Sequence, residues 1–331
     1  MRRRRKPSVI RRLIALILIL GLIGVGAAAW ISRDWWGDGP LQAETSIRVE
    51  KGDTLAAAAR RLEKAGAIRS TTNFLRFARR FGSEDPIRAG EFQFPPHVSG
   101  AQILDILQHG TPVQRLVTIP EGMASILVYE RLMAVPELTG QIAVPAEGSV
   151  LPDSYSYEAG EPRAAVLARM QTAMRRALDE AWAARKPTTV ARTPREALIL
   201  ASIVEKETGV ASERPMVASV YTNRVREGMK LQADPTVIYP ITKGKPLGRR
   251  IRRSELNAVN GYNTYASAGL PAGPIANPSR AAIEAVLDPA KSAALYFVAD
   301  GKGGHVFAKT LAEHNANVQR FYAIRRSRGE M

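Results

Sequence analysis

Apolar residues along this chain follow different spacings, and each spacing predicts a different element. Residues 13–31 form an apolar run without a charge. At ~1.5 Å per residue, such a helix is about 28 Å long, close to the thickness of a bilayer's hydrocarbon core. Residues 45–50 alternate apolar and polar, as do Glu91, Phe92, Gln93 and Phe94, which is the period of a strand with one buried face. Between them Leu55, Ala58, Ala59 and Leu62 fall at helical spacing behind Asp53, a residue suited to an N-cap. Ser70 starts a second helix carrying Phe74, Phe77 and Phe81. The order strand, helix, helix, strand predicts a small α+β module. Ser99 and Gln102 form a capping box for another helix ending at Gly110, and residues 113–119 read as a strand.

Residues 120–160 are rich in Pro and Gly and read as connecting chain. A long helix follows from Pro162 to about Arg185, with Val166, Met170, Met174, Ala177 and Ala181 on its core face. Thr193, Pro194 and Glu196 are a strong helix start, and Gly209 suits its end. Further helices are predicted over residues 212–226, from Asp234 and Pro235 through Tyr239, and from Asn277 and Pro278 to Leu287. Residues 295–298 and 305–308 flank a Gly-rich turn and predict a hairpin, and Thr310 with Glu313 caps a last helix. The fold class is α+β. The expected organisation is a basic cytoplasmic tail (1–12), a transmembrane helix (13–31), a small α+β module (45–112) and a larger α+β domain (113–331).

Charge sharpens the topology. The net charge is +16, and seven of the positive residues precede residue 13. A basic flank stays on the cytoplasmic side, so the bulk of the chain is expected outside the membrane, with Trp30, Trp35 and Trp36 at the far interface. The rival is a cleaved signal peptide, since residues 27–29 are three small alanines, but the apolar run exceeds a usual signal core. The remaining positive excess suits an anionic lipid surface or wall polymer, against a solvated surface as the plainer alternative. No basic-aromatic pattern points to nucleic acid. The chain has no cysteine, so disulfides and thiolate metal sites are excluded. Its four histidines lack a ligating spacing, so no metal is expected, and His305 and His314 read as surface residues.

Candidate chemistry enters at residues 197–204, eight small or apolar residues running into Glu205, Lys206 and Glu207. On a helix Glu205 shares a face with Leu198, Ala201 and Ser202, while Glu207 lies about 200° away. A helix apolar nearly all round is buried. Burial and the negative end of the helix both disfavour an ionised carboxylate there, and a carboxyl that keeps its proton is what a general acid requires. The plainer reading is a solvated or paired glutamate at a helix end. Amides, hydroxyls and aromatic rings recur downstream, in a pattern suited to sugars: rings stack on pyranose faces and amides pair with hydroxyls. Asn263 is equally well read as a turn residue, and Asp234 as a helix cap.

These stretches also carry a resemblance. LPDSY (151–155), ASIVEKET (201–208), LQADPTVIY (231–239), YNTY (262–265) and GLPAGPIANP (269–278) resemble, in this order, the endolytic murein transglycosylases of the YceG-like (MltG) type. FVAD (297–300) and residues 305–315 extend the likeness. Ala272 and Val150 depart from the usual pattern without touching the acid. VEKGDTL (49–55) makes the small module resemble a LysM-like glycan-binding domain, against a spacer as the rival reading.

The resemblance implies cleavage of the β-1,4 bond between N-acetylmuramic acid and N-acetylglucosamine, leaving a 1,6-anhydro end. It makes Glu205 the catalytic residue, with no cofactor. Gln232, Asn263, Tyr221, Tyr265 and Asn223 are the candidate substrate contacts. Peptidoglycan strands and the membrane are the expected partners. Endolytic action, a role in ending nascent strands and partnership with penicillin-binding synthases are family-level expectations. A muramidase that adds water, a wall-binding scaffold without catalysis and a basic membrane-surface protein are the alternatives.

Overall fold

The computed structural model describes residues 9–329, and the basic residues 2–6 lie outside them. The chain divides into two compact units, residues 1–114 and 115–331.

The first unit begins with α1 (Val9–Ile31), which is long and apolar enough to cross a membrane by length and composition. The module follows as β1 (Thr45–Val49), α2 (Leu55–Lys64), α3 (Thr71–Phe81), β2 (Gly90–Phe94) and α4 (Gly100–His109). β1 and β2 are antiparallel, with Ile47 opposite Phe92 and Thr45 opposite Phe94. The alternation therefore turns Ile47, Val49, Phe92 and Phe94 into one core with Leu62, Phe74, Phe77, Ile103 and Leu107. The caps of α3 and α4 are Ser70 and Ser99, as predicted. Thr54, not Asp53, caps α2, and Asp53 instead pairs with Arg61.

Trp35 corrects the expectation of an interfacial tryptophan belt. It is only 2% exposed and packs against Phe74 and Phe77. The apolar ring has an aromatic pocket within its own unit, and that burial outweighs an interfacial position.

In the second unit, β3 (Arg115–Thr118) pairs antiparallel with β4 (Ser154–Tyr157), and α5 (Ser125–Met133) lies between them in sequence. α5 and β4 fall in the stretch that reads as connecting chain. α5 has no side-chain cap at Ala124, so its start carries no local signal. Helices α6 (Arg163–Ala183), α7 (Pro194–Glu207), α8 (Arg214–Arg226), α9 (Asp234–Thr242), α10 (Arg253–Leu256) and α11 (Arg280–Leu287) follow. The hairpin β5 (Tyr296–Ala299) and β6 (His305–Ala308) and the helix α12 (Leu311–Ser327) complete the unit. Met170 and Met174 are buried, so the methionine stripe of α6 is packing.

α7 is the centre of this unit and touches α6, α8, α9 and α11. Its alanines at 197 and 201 let neighbours approach closely, while Leu200, Ile203 and Val204 fill the space between them, all buried. Thr193 accepts a hydrogen bond from Glu196 N at 3.1 Å, so the predicted cap holds. Glu196 reaches past the cap to Arg192 N at 2.6 Å.

Trp35→Ala should cost about 3–5 kcal/mol, the usual loss for emptying a large aromatic site. The check is urea unfolding followed by circular dichroism. A loss below ~1 kcal/mol would mean that the ring does not hold the first unit together.

Candidate active site

A loop runs back along α7 and brings polar groups to Glu205. Arg195 in the first turn of α7 donates to Ala272 O at 3.0 Å. Ile275 N donates to Ser202 Oγ at 3.0 Å, and that hydroxyl donates to Ile199 O. The loop then ends at Ser279, the N-cap of α11. Asn277, read from sequence as the start of this helix, turns away and donates to Met123 O and Ser125 Oγ.

Ser279 is the residue that sequence reasoning missed. Its N donates to Glu205 Oε2 at 2.7 Å and its Oγ to the same oxygen at 2.5 Å. Its signal was local: a Ser just before a helical apolar run is a candidate cap. On the other side, Arg214 Nη2 donates to Glu205 Oε1 at 3.2 Å. The same guanidinium is shared with Glu121, which is half exposed. Gly122 closes the third side. Its φ is +68°, and a Cβ there would lie 3.3 Å from Glu205 Cγ and from Lys206 Cδ.

Glu205 is therefore buried, as expected, with its side chain 3% exposed. It is not the lone, dry carboxyl that the sequence suggested. A guanidinium and two donors from one serine are partners for an anion, and they occupy the oxygens that a glycosidic oxygen would have to approach.

Glu207 faces the other way from α7 and has different company. Its Oε1 is buried and accepts no hydrogen bond. Burial pushes the carboxyl up from 4.5 to about 7; the Tyr221 hydroxyl opposes it, the Asp234 carboxylate adds to it, and Arg224 opposes it least. Tyr221 is 2% exposed, and burial raises its own phenol. Tyr265 Oη donates to Asp234 Oδ1 at 2.6 Å. Asp234 thus makes a tyrosine contact on the first turn of α9, and the N-cap is Ala233.

Gln232 is exposed and adopts φ +53°, a left-handed conformation uncommon for a residue with a Cβ. What holds it is Thr264. Gln232 N donates to Thr264 O, Ala233 N donates to Thr264 Oγ1, and Thr264 Oγ1 lies 2.8 Å from Thr236 Oγ1. The LQADPT and YNTY stretches are thereby one bonded unit. Strain of this kind persists where surrounding structure enforces it, and it clusters at functional sites.

The other candidates are spent on structure. Asn263 is 1% exposed and donates to Glu255 O, Leu256 O and Ala258 O. Its carbonyl accepts from Tyr265 N and Ala266 N. Asn223 donates to Ser292 O and Ala294 O. His305 and His314 are partly exposed and each has a partner. His305 Nδ1 lies 2.7 Å from Glu213 Oε2, and His314 stacks on Tyr296.

Residues 47–320 match the model of the YceG-like family. The chain belongs to the YceG-like family. It is 42% identical over 124 residues to an endolytic murein transglycosylase of Bacillus subtilis, covering 38% of the chain and 34% of that protein. It is 27% identical over 322 residues to the endolytic murein transglycosylase of Streptococcus pneumoniae D39, covering 82% of the chain and 57% of that protein. The chain thus spans about a third to little more than half of these relatives. The crystal structure of a YceG-like protein from Listeria monocytogenes superposes with a TM-score of 0.51 at 26% identity, covering 83% of this chain and 99% of that one.

Two measurements separate the glutamates. Glu207 holds its proton more tightly folded than unfolded, so it favours the fold fully below about pH 4.5, and that contribution is lost as pH rises through about 7. Glu207→Gln should melt above the wild type at pH 8 by an amount worth on the order of 1–3 kcal/mol, and the gap should close toward pH 4.5. Arg214→Ala strands the buried Glu205 and should cost about 3–5 kcal/mol in denaturant unfolding. Arg214→Lys should recover part of that loss.

Proposed function

We propose that this chain is a lytic transglycosylase of murein glycan strands, with Glu207 as the group that gives and then takes the proton. The observation that carries this reading is a carboxyl raised to about 7 with one oxygen buried and unpaired, while Arg224, which acts on that carboxyl, also reaches Gln232 Oε1 at 3.4 Å, an exposed glutamine in a strained backbone. The naming of the relatives in Bacillus subtilis and Streptococcus pneumoniae as endolytic murein transglycosylases supports the substrate class. Glu205, the residue expected from sequence, is the competing assignment. Its salt bridge and serine bonds support an anchoring role.

The reaction needs one carboxyl. Protonated Glu207 donates to the glycosidic oxygen as the bond from that oxygen to the muramyl C1 breaks. The C1 centre acquires oxocarbenium character, which the substrate's own N-acetyl carbonyl can support. Ionised Glu207 then removes the proton from the muramyl C6 hydroxyl, and O6 closes on C1. A 1,6-anhydro end results, no water is consumed, and Glu207 regains its proton. Hydrolysis would need a second carboxylate roughly 5–9 Å across the bond. Asp234, the nearby candidate, is engaged by Tyr265. Gln232 and Tyr265 are the proposed sugar contacts, since both lie at the Glu207 side. Tyr221 tunes Glu207 from within.

The length of α1 and the seven positive charges before residue 13 support a single-pass anchor with the basic end cytoplasmic and the residues after about 37 outside. The VEKGDTL stretch supports a glycan-binding role for the first unit.

Purified glycan strands should be cut by the wild type to products lighter by one water than hydrolysis products, read by mass spectrometry. Glu207→Gln should lose at least about 10³-fold in rate while remaining folded, and wild-type activity should decline as pH rises past about 7. Glu205→Gln should keep measurable turnover with lowered stability. The reverse pattern, an active Glu207→Gln and a folded but inert Glu205→Gln, returns the proton to Glu205. Products carrying added water make the chain a muramidase.

A further inference from the structure

A cavity of about 860 Å³ opens near the start of α7, away from both glutamates. Ile199, Val225 and Leu270 supply its apolar lining, and Arg192, Arg195 and Arg226 its charge, against the single carboxylate of Glu196. The first turn of α7 is already satisfied by Thr193 and Glu196, so the positive character comes from the side chains. Arg195 and Arg226 donate to the carbonyls of Ala272 and Thr188, which orient the guanidiniums without neutralising them.

Of the three α7 residues that line the cavity, Glu196 and Ile199 project nearer to Glu207 than to Glu205, and Arg195 nearer to Glu205. Eleven residues separate Glu196 from Glu207, which at 3.6 residues per turn returns to within about 20° of the same direction, whereas Glu205 points about 180° away. α8 leads the same way, from Tyr221 beside Glu207 to Val225 one turn on in the cavity wall. The loop after Tyr265 leads to Leu270. Along the helix axis, Arg195 is about 18 Å from Glu207.

We propose that this cavity receives the acidic peptide carried by the muramyl sugar whose glycosidic bond lies at Glu207. The proposal rests on the transglycosylase reading. Muramyl residues bear short peptides with free carboxylates on a lactyl arm, and five extended residues span about 17 Å, enough to bring the chain to the Arg195 edge of the cavity. An apolar floor with a cationic rim suits such a chain: the backbone and methyl groups lie on Ile199 and Val225, and the carboxylates meet Arg192 and Arg226. The chain thereby selects strands that still carry their peptides.

The test uses the full-length chain and the double variant Arg192→Ala/Arg226→Ala, with Arg195 left to hold Ala272. Initial rates are compared on glycan strands with peptides and on the same strands stripped by an amidase. The wild type should prefer the peptide-bearing strands, and the double variant should lose about tenfold of that preference, mainly through KM. Arg192→Lys/Arg226→Lys should restore part of it, which excludes a folding defect. In a second arm, a synthetic stem pentapeptide is titrated calorimetrically. It should bind the wild type and Glu207→Gln alike, weaken as salt is raised, and fail to bind the double alanine variant. Equal wild-type cleavage of both substrates, or peptide binding no weaker in the double variant, overturns the proposal. If neither substrate is cut, the transglycosylase reading fails, while the titration still decides whether the cavity binds an acidic peptide.

Discussion

One buried carboxyl, that of Glu205, ties the elements of this site together through its partners. Glu205 sits at the end of a helix that is apolar on nearly every side, where an unpaired carboxylate would be strongly unfavourable. The chain supplies its partners from two places far away in sequence. Ser279 caps α11 and gives both its donors to one oxygen, and Arg214, the first residue of α8, reaches the other. The bond that satisfies the charge is therefore also the bond that fixes the ends of three helices around one point.

With that charge settled, the carboxyl two residues later is free for different work. Glu207 is turned away from Arg214, and its buried oxygen has no donor. Burial only partly offset by the Tyr221 hydroxyl and Arg224 raises it, whereas Arg214 and Ser279 hold Glu205 in place. Two glutamates on one helical turn thus acquire different properties from environment alone, which is how a fold assigns acid chemistry to one carboxyl among several. The groups around Glu207 come from loops and helix ends, but they are not loose: Thr264 bonds the 231–236 stretch to the 262–265 stretch and holds Gln232 in its left-handed conformation. This support holds polar groups carried on loops in one geometry.

The pattern of apolar positions was a good guide to the elements and a poor guide to the chemistry. Period two located β1 and β2, and helical spacing located α2, α3, α6 and α7, because burial on one face repeats with the geometry of the backbone. Capping residues at 70, 99, 193 and 310 marked helix starts, because the bonds they make are local. α5 escaped notice because its start has no capping side chain. Asn277 was read as the beginning of α11, yet its side chain bonds to residues more than 150 positions earlier, which no local signal reports. Asn263 was read as a sugar contact or a turn residue, and the structure commits both ends of its amide to the turn.

By itself, the sequence determined most of the elements, the apolar N-terminal helix, the polar motifs and the burial of the helix that ends in EKE. All of these depend on residues close together along the chain or on repeating burial. Which of the two glutamates is paired and which is left to hold a proton was decided only by the tertiary structure. That outcome depends on where Arg214, Ser279 and Asp234 come to rest, and a carboxyl's proton affinity is set by the charges and donors within a few ångströms in space, however far apart they stand in the chain.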